Sequence, residues 1–227
     1  MAAVEQPIHF ANATLGTERH ICAFFHSPDE EYRVLLPFIR EGIERREKAF
    51  AALRRHAGEK PHEILAASDE DIKKATRLGG MQPEMRVRRL REIALIAMNE
   101  FGGDLRRALK LPLSKAKQAL RKFPGIGEPG AEKILLFTRS YPVLGLESNG
   151  LRALLRLGFG EEKKNYTATY RAVQEAIKDQ LKEDFDWLIK AHILLRQHGK
   201  ELCKTNRPLC SECPLRRDCA YFKRVIQ

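Results

Sequence analysis

Leu113-Ser-Lys-Ala-Lys-Gln-Ala-Leu-Arg-Lys-Phe123-Pro124-Gly125-Ile126-Gly127-Glu128-Pro129-Gly130-Ala131-Glu132-Lys133-Ile134-Leu135 reads as helix, tight glycine turn, helix. Pro124 presets one backbone dihedral, and Gly125 and Gly127 permit a sharp turn and a close approach of backbone. Ile126 is the apolar residue that drops between the two helices. The N–H groups at the start of the second helix then point outward and form an anion site suited to a DNA phosphate. No side chain in the turn reads a base, so the contact would be independent of sequence. Pro-Gly turns also join helices that bind nothing. Lys115, Lys117, Arg121 and Lys122 tilt the reading toward phosphate, although each alone is also an ordinary solvated charge.

Working outward, apolar residues recur at helical spacing on both sides. Helices are expected at about 61–67, 69–78, 84–101, 113–121, 129–139, 148–157, 167–182 and 185–198. Gly79-Gly80, Gly102-Gly103, Gly158 with Gly160, and Gly199 punctuate them. Nearer the start, Ser27-Pro28-Asp29-Glu30 has the composition of a helix start. That helix would run toward Arg55 with a kink at Pro37. Ile21–Phe25 reads as a short buried strand. Alternating β-branched runs are scarce, so the chain is expected to be mostly α.

The 227 residues suffice for one or two domains with a buried core, and 43% of them are hydrophobic. No apolar run approaches the roughly 18 residues of a membrane span. A basic, then long apolar, opening is missing, so no secretory signal is read and a cytoplasmic setting is expected. The 41 Lys and Arg against 30 Asp and Glu give a net +11. Residues 1–50 hold 6 basic and 8 acidic residues, and the remainder 35 and 22. A basic block of that size points to a polyanion, with nucleic acid first.

Four of the five cysteines crowd the C-terminal end; Cys22 stands alone. Cys203, Cys210, Cys213 and Cys219 have the spacing C-x6-C-x2-C-x5-C. In a reducing compartment such a cluster is read as a metal site before disulfides. Four thiolates suit either zinc or a [4Fe-4S] cluster, and their chemistry alone does not choose. Arg207, Arg216, Arg217, Lys223 and Arg224 around the loop would soften the negative charge and offer a second phosphate surface.

Hairpin, later helices and cysteine loop together, over about residues 60–221, resemble the endonuclease III superfamily of helix–hairpin–helix DNA glycosylases. The resemblance implies a mostly α, two-domain glycosylase fold whose C-terminal loop holds a [4Fe-4S] cluster on Cys203, Cys210, Cys213 and Cys219. It implies base-excision repair on double-stranded DNA carrying a damaged or mismatched base, no membrane, and a monomer. Trp187, Leu188, Leu194 and Leu195 are expected in the core. His192 and His198 are read as packing or capping residues, since four thiolates suffice.

A glycosylase breaks the bond between base and deoxyribose, and positive charge develops on the sugar. Leu146-Glu147-Ser148-Asn149-Gly150-Leu151-Arg152 aligns with the family's catalytic segment and places Glu147 where relatives have aspartate. It is most similar to the Asp-x-Asn form of adenine-mismatch glycosylases. The resemblance therefore assigns catalysis to Glu147, and DNA contacts to Gly125, Ile126, Gly127, Lys122 and Asn149. The alternative for Glu147 is an acid that merely favours a helix start. Bifunctional relatives place a lysine two residues beyond the last hairpin glycine. Here that position is Pro129, and Lys133 lies roughly 6 Å further along the helix axis. Hydrolytic base release without lysine-dependent strand cleavage is the expected reaction. The competing expectation is a DNA-binding relative that has lost its chemistry.

The opening segment is a separate matter. His20–Tyr32 and Leu35–Gly42 resemble the start of a methanogen/methylotroph sensory (MEDS) domain, over about residues 8–48. The expected organisation is thus an atypical segment at 1–50, a glycosylase region at 51–202, and a cluster loop and tail at 203–227. Met81 and Gln82 are candidates for filling the gap left by a flipped base.

Overall fold

The structure is a computed structural model that describes residues 8–10, 13–15, 44, 46–78 and 82–226. The expected strand at 21–25, the helix start at Ser27, the kink at Pro37, and Met81 lie outside those residues. So does Cys22.

The fold is mostly helical. Residues 46–56 form α1; then come α2 (Pro61–Ala66), α3 (Asp69–Leu78) and α4 (Pro83–Phe101). They are followed by α5 (Arg106–Leu109), α6 (Leu113–Leu120), α7 (Glu128–Phe137) and α8 (Ser148–Leu157). Last are α9 (Tyr166–Ile177), α10 (Phe185–Glu201) and α11 (Ala220–Ile226). A two-stranded antiparallel hairpin, β1 (Ile8–Phe10) and β2 (Ala13–Leu15), pairs Ile8 with Leu15 and Phe10 with Ala13. Periodicity did not anticipate that hairpin, α5 or α11. Each is too short to carry a periodic signal.

Two compact units are present, Met1–Asp104 and Leu105–Gln227. The division falls after α4, far from the charge step near residue 50.

In the first unit, α2 and α3 pack on α4 around Ala57, Ile64, Ile72, Val87 and Ala94. Arg91 on α4 ties the corner between α2 and α3. Its guanidinium donates to the carbonyls of Leu65 (3.2 Å) and Ala67 (2.7 Å) and pairs with Asp69 (2.6 Å). Carbonyls at a helix C-terminus lack intrahelical partners, and Arg91 supplies some.

Among the described residues, two apolar centres stand out in the second unit. One, between α6 and α7, is Ala116, Leu120, Ala131 and Leu135. The other gathers Leu136, Leu144, Leu146, Leu151, Leu154, Tyr170, Val173, Ile177 and Leu188 from α7 to α10. Side-chain caps fix the starts of α9 and α10: Asn165 accepts from the Ala168 N–H and Asp184 from the Trp187 N–H.

On α10, Leu188, His192 and Gly199 face inward, and Trp187 and Leu195 pack partly buried against the core. Leu194 corrects the expected core set, being 53% exposed. One residue from Leu195 on a helix is a turn of about 100°, which carries Leu194 off the buried stripe.

Gly199 also differs from expectation. It does not end α10 but lies inside it, because a Cβ there would stand 2.3 Å from the Asn149 carbonyl oxygen on α8.

Candidate active site and cysteine loop

The α6–α7 connection is a tight glycine turn. The Phe123 N–H donates to Leu120 at 3.3 Å and the Ile126 N–H to Phe123 at 3.1 Å. Gly125 has φ +86°, a left-handed conformation that glycine adopts without penalty. A Cβ there would meet nothing within 4 Å, so the turn's outer side is open. Gly127 is extended (φ −87°, ψ −176°) and leads into α7 with no side-chain cap. Among the described residues, the N–H groups of Gly125, Gly127 and Gly130 have no hydrogen-bond partner. Ile126 packs against the Ala116–Leu135 cluster from the turn. Lys115, Arg121 and Lys122 are exposed beside it. Lys117 is not, for its ammonium turns inward to Glu132 and Glu128.

Pro129 sits in the first turn of α7, where a missing N–H costs nothing. Lys133 follows one turn later, partly buried, with its own backbone so close to Gly145 that a Cβ there would stand 2.6 Å from its nitrogen.

After α7 the chain returns through Leu144, Gly145 and Leu146, all buried, to Glu147. Glu147 is the N-cap of α8, its side chain accepting from the Gly150 N–H at 3.0 Å. Its other carboxylate oxygen accepts from Asn149 Nδ2 at 2.9 Å. The carboxylate is thus partly exposed, oriented by two donors, and seated at the positive end of a helix. Asn149 accepts in turn from Arg152 at 2.8 Å, so its amide is held within the protein. Tyr166, at the start of α9, lies within electrostatic reach. Burial, and then the Glu147 carboxylate, push its phenol above the ordinary tyrosine range.

Arg152 and Arg156, one turn apart on α8, bind the cysteine loop. Arg152 donates to the carbonyls of Gly199 (2.7 Å) and Cys203 (2.9 Å). Arg156 donates to Lys204 (2.6 Å) and Thr205 (3.0 Å), approaches Cys203 Sγ at 3.4 Å, and lies 4.7 Å over the Tyr221 ring. Sequence reasoning missed both, since an exposed arginine and a loop-binding one look alike in a helical pattern.

Cys203, Cys210, Cys213 and Cys219 line one cavity with Arg156, His198 and Leu202. Burial pushes the Cys210 thiol up, the other three sulfurs add to this, and Arg156 opposes it. His198 Nε2 is 3.9 Å from Cys213 Sγ. Among the described residues, no three Cys, His, Asp or Glu side chains converge on a single ion.

Gln82, the gap-filling candidate of the first unit, is exposed and left-handed (φ 57°) at the N-cap of α4.

Comparison with known proteins is consistent with this geometry. The chain is 28% identical to endonuclease III of Thermotoga maritima over 202 residues, which are 88% of this chain and 87% of that protein. A thermostable thymine-DNA glycosylase structure superposes with a TM-score of 0.59 at 17% identity, covering 80% of this chain and 77% of that one. A trapped covalent intermediate of endonuclease III with DNA gives a TM-score of 0.58 at 19% identity, covering 88% and 95%. The MEDS family model (methanogen/methylotroph, DcmR sensory domain) matches residues 19–126. That match runs well past residue 48 and covers a little under half of the chain. The endonuclease III relatives and the structural neighbours support the helix–hairpin–helix DNA glycosylase superfamily. Likeness to endonuclease III over 88% of the chain reaches into the first 50 residues, where the sequence reading found none.

Proposed function

We propose that this chain is a base-excision-repair DNA N-glycosylase that releases a damaged or mismatched base by hydrolysis, with Glu147 as its catalytic carboxylate. The observation that carries the reading is Glu147 oriented by Gly150 and Asn149 at the start of α8, with Pro129 in place of the family's lysine.

The hairpin N–H groups at Gly125 and Gly127, supported by Lys122, hold a phosphate of the duplex and set its register. The target nucleotide leaves the stack. As the bond from base to C1′ breaks, its electron pair leaves with the base and positive charge grows on the sugar. Glu147 faces that charge. A water adds to C1′ and passes a proton to the Glu147 carboxylate. Asn149 holds Glu147 from one side and serves the DNA contact through that hold. Without an amine at position 129 no Schiff base forms there.

The cysteine loop is proposed to carry a [4Fe-4S] cluster. Thiols spread around one cavity fit a cluster's separated corners, whereas zinc gathers its sulfurs to about 2.3 Å from one point. When bound, the cluster would cross-link the loop that Arg152 and Arg156 tie to α8.

The test is product analysis on a panel of duplexes bearing single lesions or mismatches. Base release is expected to leave intact abasic strands, cut only after alkali, and borohydride to trap no covalent adduct. Efficient trapping would show that Lys133 or another amine attacks the sugar.

A further inference from the structure

Beneath the segment that presents Glu147 lies a buried polar cluster that the proposed chemistry does not use. Glu132 on α7 is only 6% exposed, and Tyr170 on α9 is 1% exposed. The Tyr170 hydroxyl donates to Glu132, and Gln174 Nε2 donates to the same carboxylate oxygen at 3.0 Å. Lys117 pairs with the other oxygen. A carboxylate taken out of water is costly unless paired and hydrogen-bonded, and here every partner is supplied.

The cluster grips the backbone just before Glu147. The Leu146 N–H donates to the Tyr170 hydroxyl at 3.2 Å, and Gln174 Nε2 donates to the Leu144 carbonyl at 2.6 Å. From α10, His192 Nδ1 meets the Gly145 carbonyl at 2.6 Å. Three consecutive residues are therefore held by side chains from two helices, one peptide short of the candidate catalytic carboxylate. A core needs no such clamp for burial alone, since apolar residues of similar volume serve as well. What a satisfied polar network adds is a single fixed geometry.

We infer that Tyr170, oriented by Glu132 and Gln174, is a positioning residue for Glu147: it fixes the Leu146 amide and so sets where the carboxylate stands. This rests on the reading of Glu147 as the catalytic group.

The test compares Tyr170→Phe, Gln174→Met and, as a control, Thr169→Val. Thr169 is also buried on α9, but its hydroxyl bonds Lys163 and Asn165, away from this segment. Hydrogen exchange, single-turnover base release and duplex affinity are measured on each full-length protein, alongside Glu147→Gln. Tyr170→Phe is expected to speed exchange of the Leu146 amide and to slow base release at least tenfold, with duplex affinity within twofold of wild type. Gln174→Met, at a partly exposed site, is expected to do the same more weakly, and it carries the test if Tyr170→Phe does not fold. Thr169→Val is expected to lower melting temperature without slowing base release. Unchanged Leu146 exchange in both variants overturns the clamp. Faster exchange with an unaltered rate, where Glu147→Gln abolishes release, overturns the positioning role. Glu147→Gln equal to wild type would instead show that the reading of Glu147 had failed, and the inference with it.

Discussion

Glu147 is one methylene longer than the aspartate that the resemblance to endonuclease III implies at this position, and what that changes is reach. Its carboxylate is held by the Gly150 N–H and Asn149, so its position is defined rather than averaged over rotamers. An offset on the order of 1 Å at a reacting group can cost about a hundredfold in rate. Glu147→Gln keeps the shape and one acceptor oxygen and removes the charge. Base release is expected to fall by about a hundredfold or more, with duplex binding retained. Unaltered single-turnover release would remove Glu147 from the mechanism. Glu147→Asp is expected to keep the cap and to shift the rate, upward if the pocket retains the family's dimensions. The residues that could be read in the sequence were those whose type announces a job: paired glycines, spaced cysteines, an acid before a helix. Glu132, Tyr170, Arg152 and Arg156 were not legible. Their work depends on which distant backbone they meet, and linear spacing carries no trace of that. Lys117 shows the converse, a surface charge by pattern that ends up serving a buried carboxylate.

At the scale of elements, the long helices were legible because each shows one apolar stripe, and α4 and α8 stop at a glycine. The boundaries of α8 match expectation at both ends, fixed by the Glu147 cap and by left-handed Gly158. Gly199 misled because a glycine in a helical pattern reads as a stop, whereas here it admits the Asn149 backbone. Gly199→Ala must push α8 and α10 apart, and overpacking of this kind costs about 1–3 kcal/mol or more. A clear fall in melting temperature is expected, and an unaltered one would mean the helices are not so close. The hairpin invites the opposite experiment. Gly127 needs no left-handed backbone, and a Cβ there would touch Pro129 at an ordinary 3.8 Å. Gly127→Val is therefore expected to leave stability within about 1 kcal/mol, the usual range for a changed N-cap, while weakening duplex binding at least tenfold by blocking the phosphate's approach. Retained binding would move the phosphate site elsewhere. For the cysteine loop, anaerobically purified protein is expected to be yellow-brown with about four irons per chain. Cys210→Ser is expected to lose iron and open the 203–219 loop to protease, because metal binding and local folding are coupled. Stoichiometric zinc without iron would overturn the cluster.

For the molecule as a whole, charge is the property that no single site explains. The chain carries +11, and residues 51–227 hold 35 basic against 22 acidic side chains. Part of that surplus is spent inside the protein: Lys117, Arg152 and Arg156 bind carboxylates and carbonyls of their own chain. Exposed basic side chains of the second unit include Lys115, Arg121 and Lys122 beside the hairpin and, by the cysteine loop, Arg217, Lys223, Arg224 and Arg216, the last also donating to the Ser211 carbonyl. In the proposed reading the hairpin meets the duplex through backbone N–H groups and neighbouring cations rather than through base edges. Phosphates should then dominate the affinity, and each phosphate neutralised releases counterion. Affinity for undamaged duplexes of unrelated sequence is expected to agree within a few-fold at one salt concentration. The same affinity is expected to fall steeply as salt rises, with a slope of about −0.9 in log K against log salt for each phosphate engaged. Charge reversal at Lys122, which leaves the hairpin backbone intact, is expected to lower affinity equally for all sequences and to reduce that slope by about one. A slope near zero, or a strong preference among undamaged sequences, would mean that the basic surface serves something other than the duplex backbone. In that case the hairpin N–H groups would have to carry the affinity with little help from the surrounding charge.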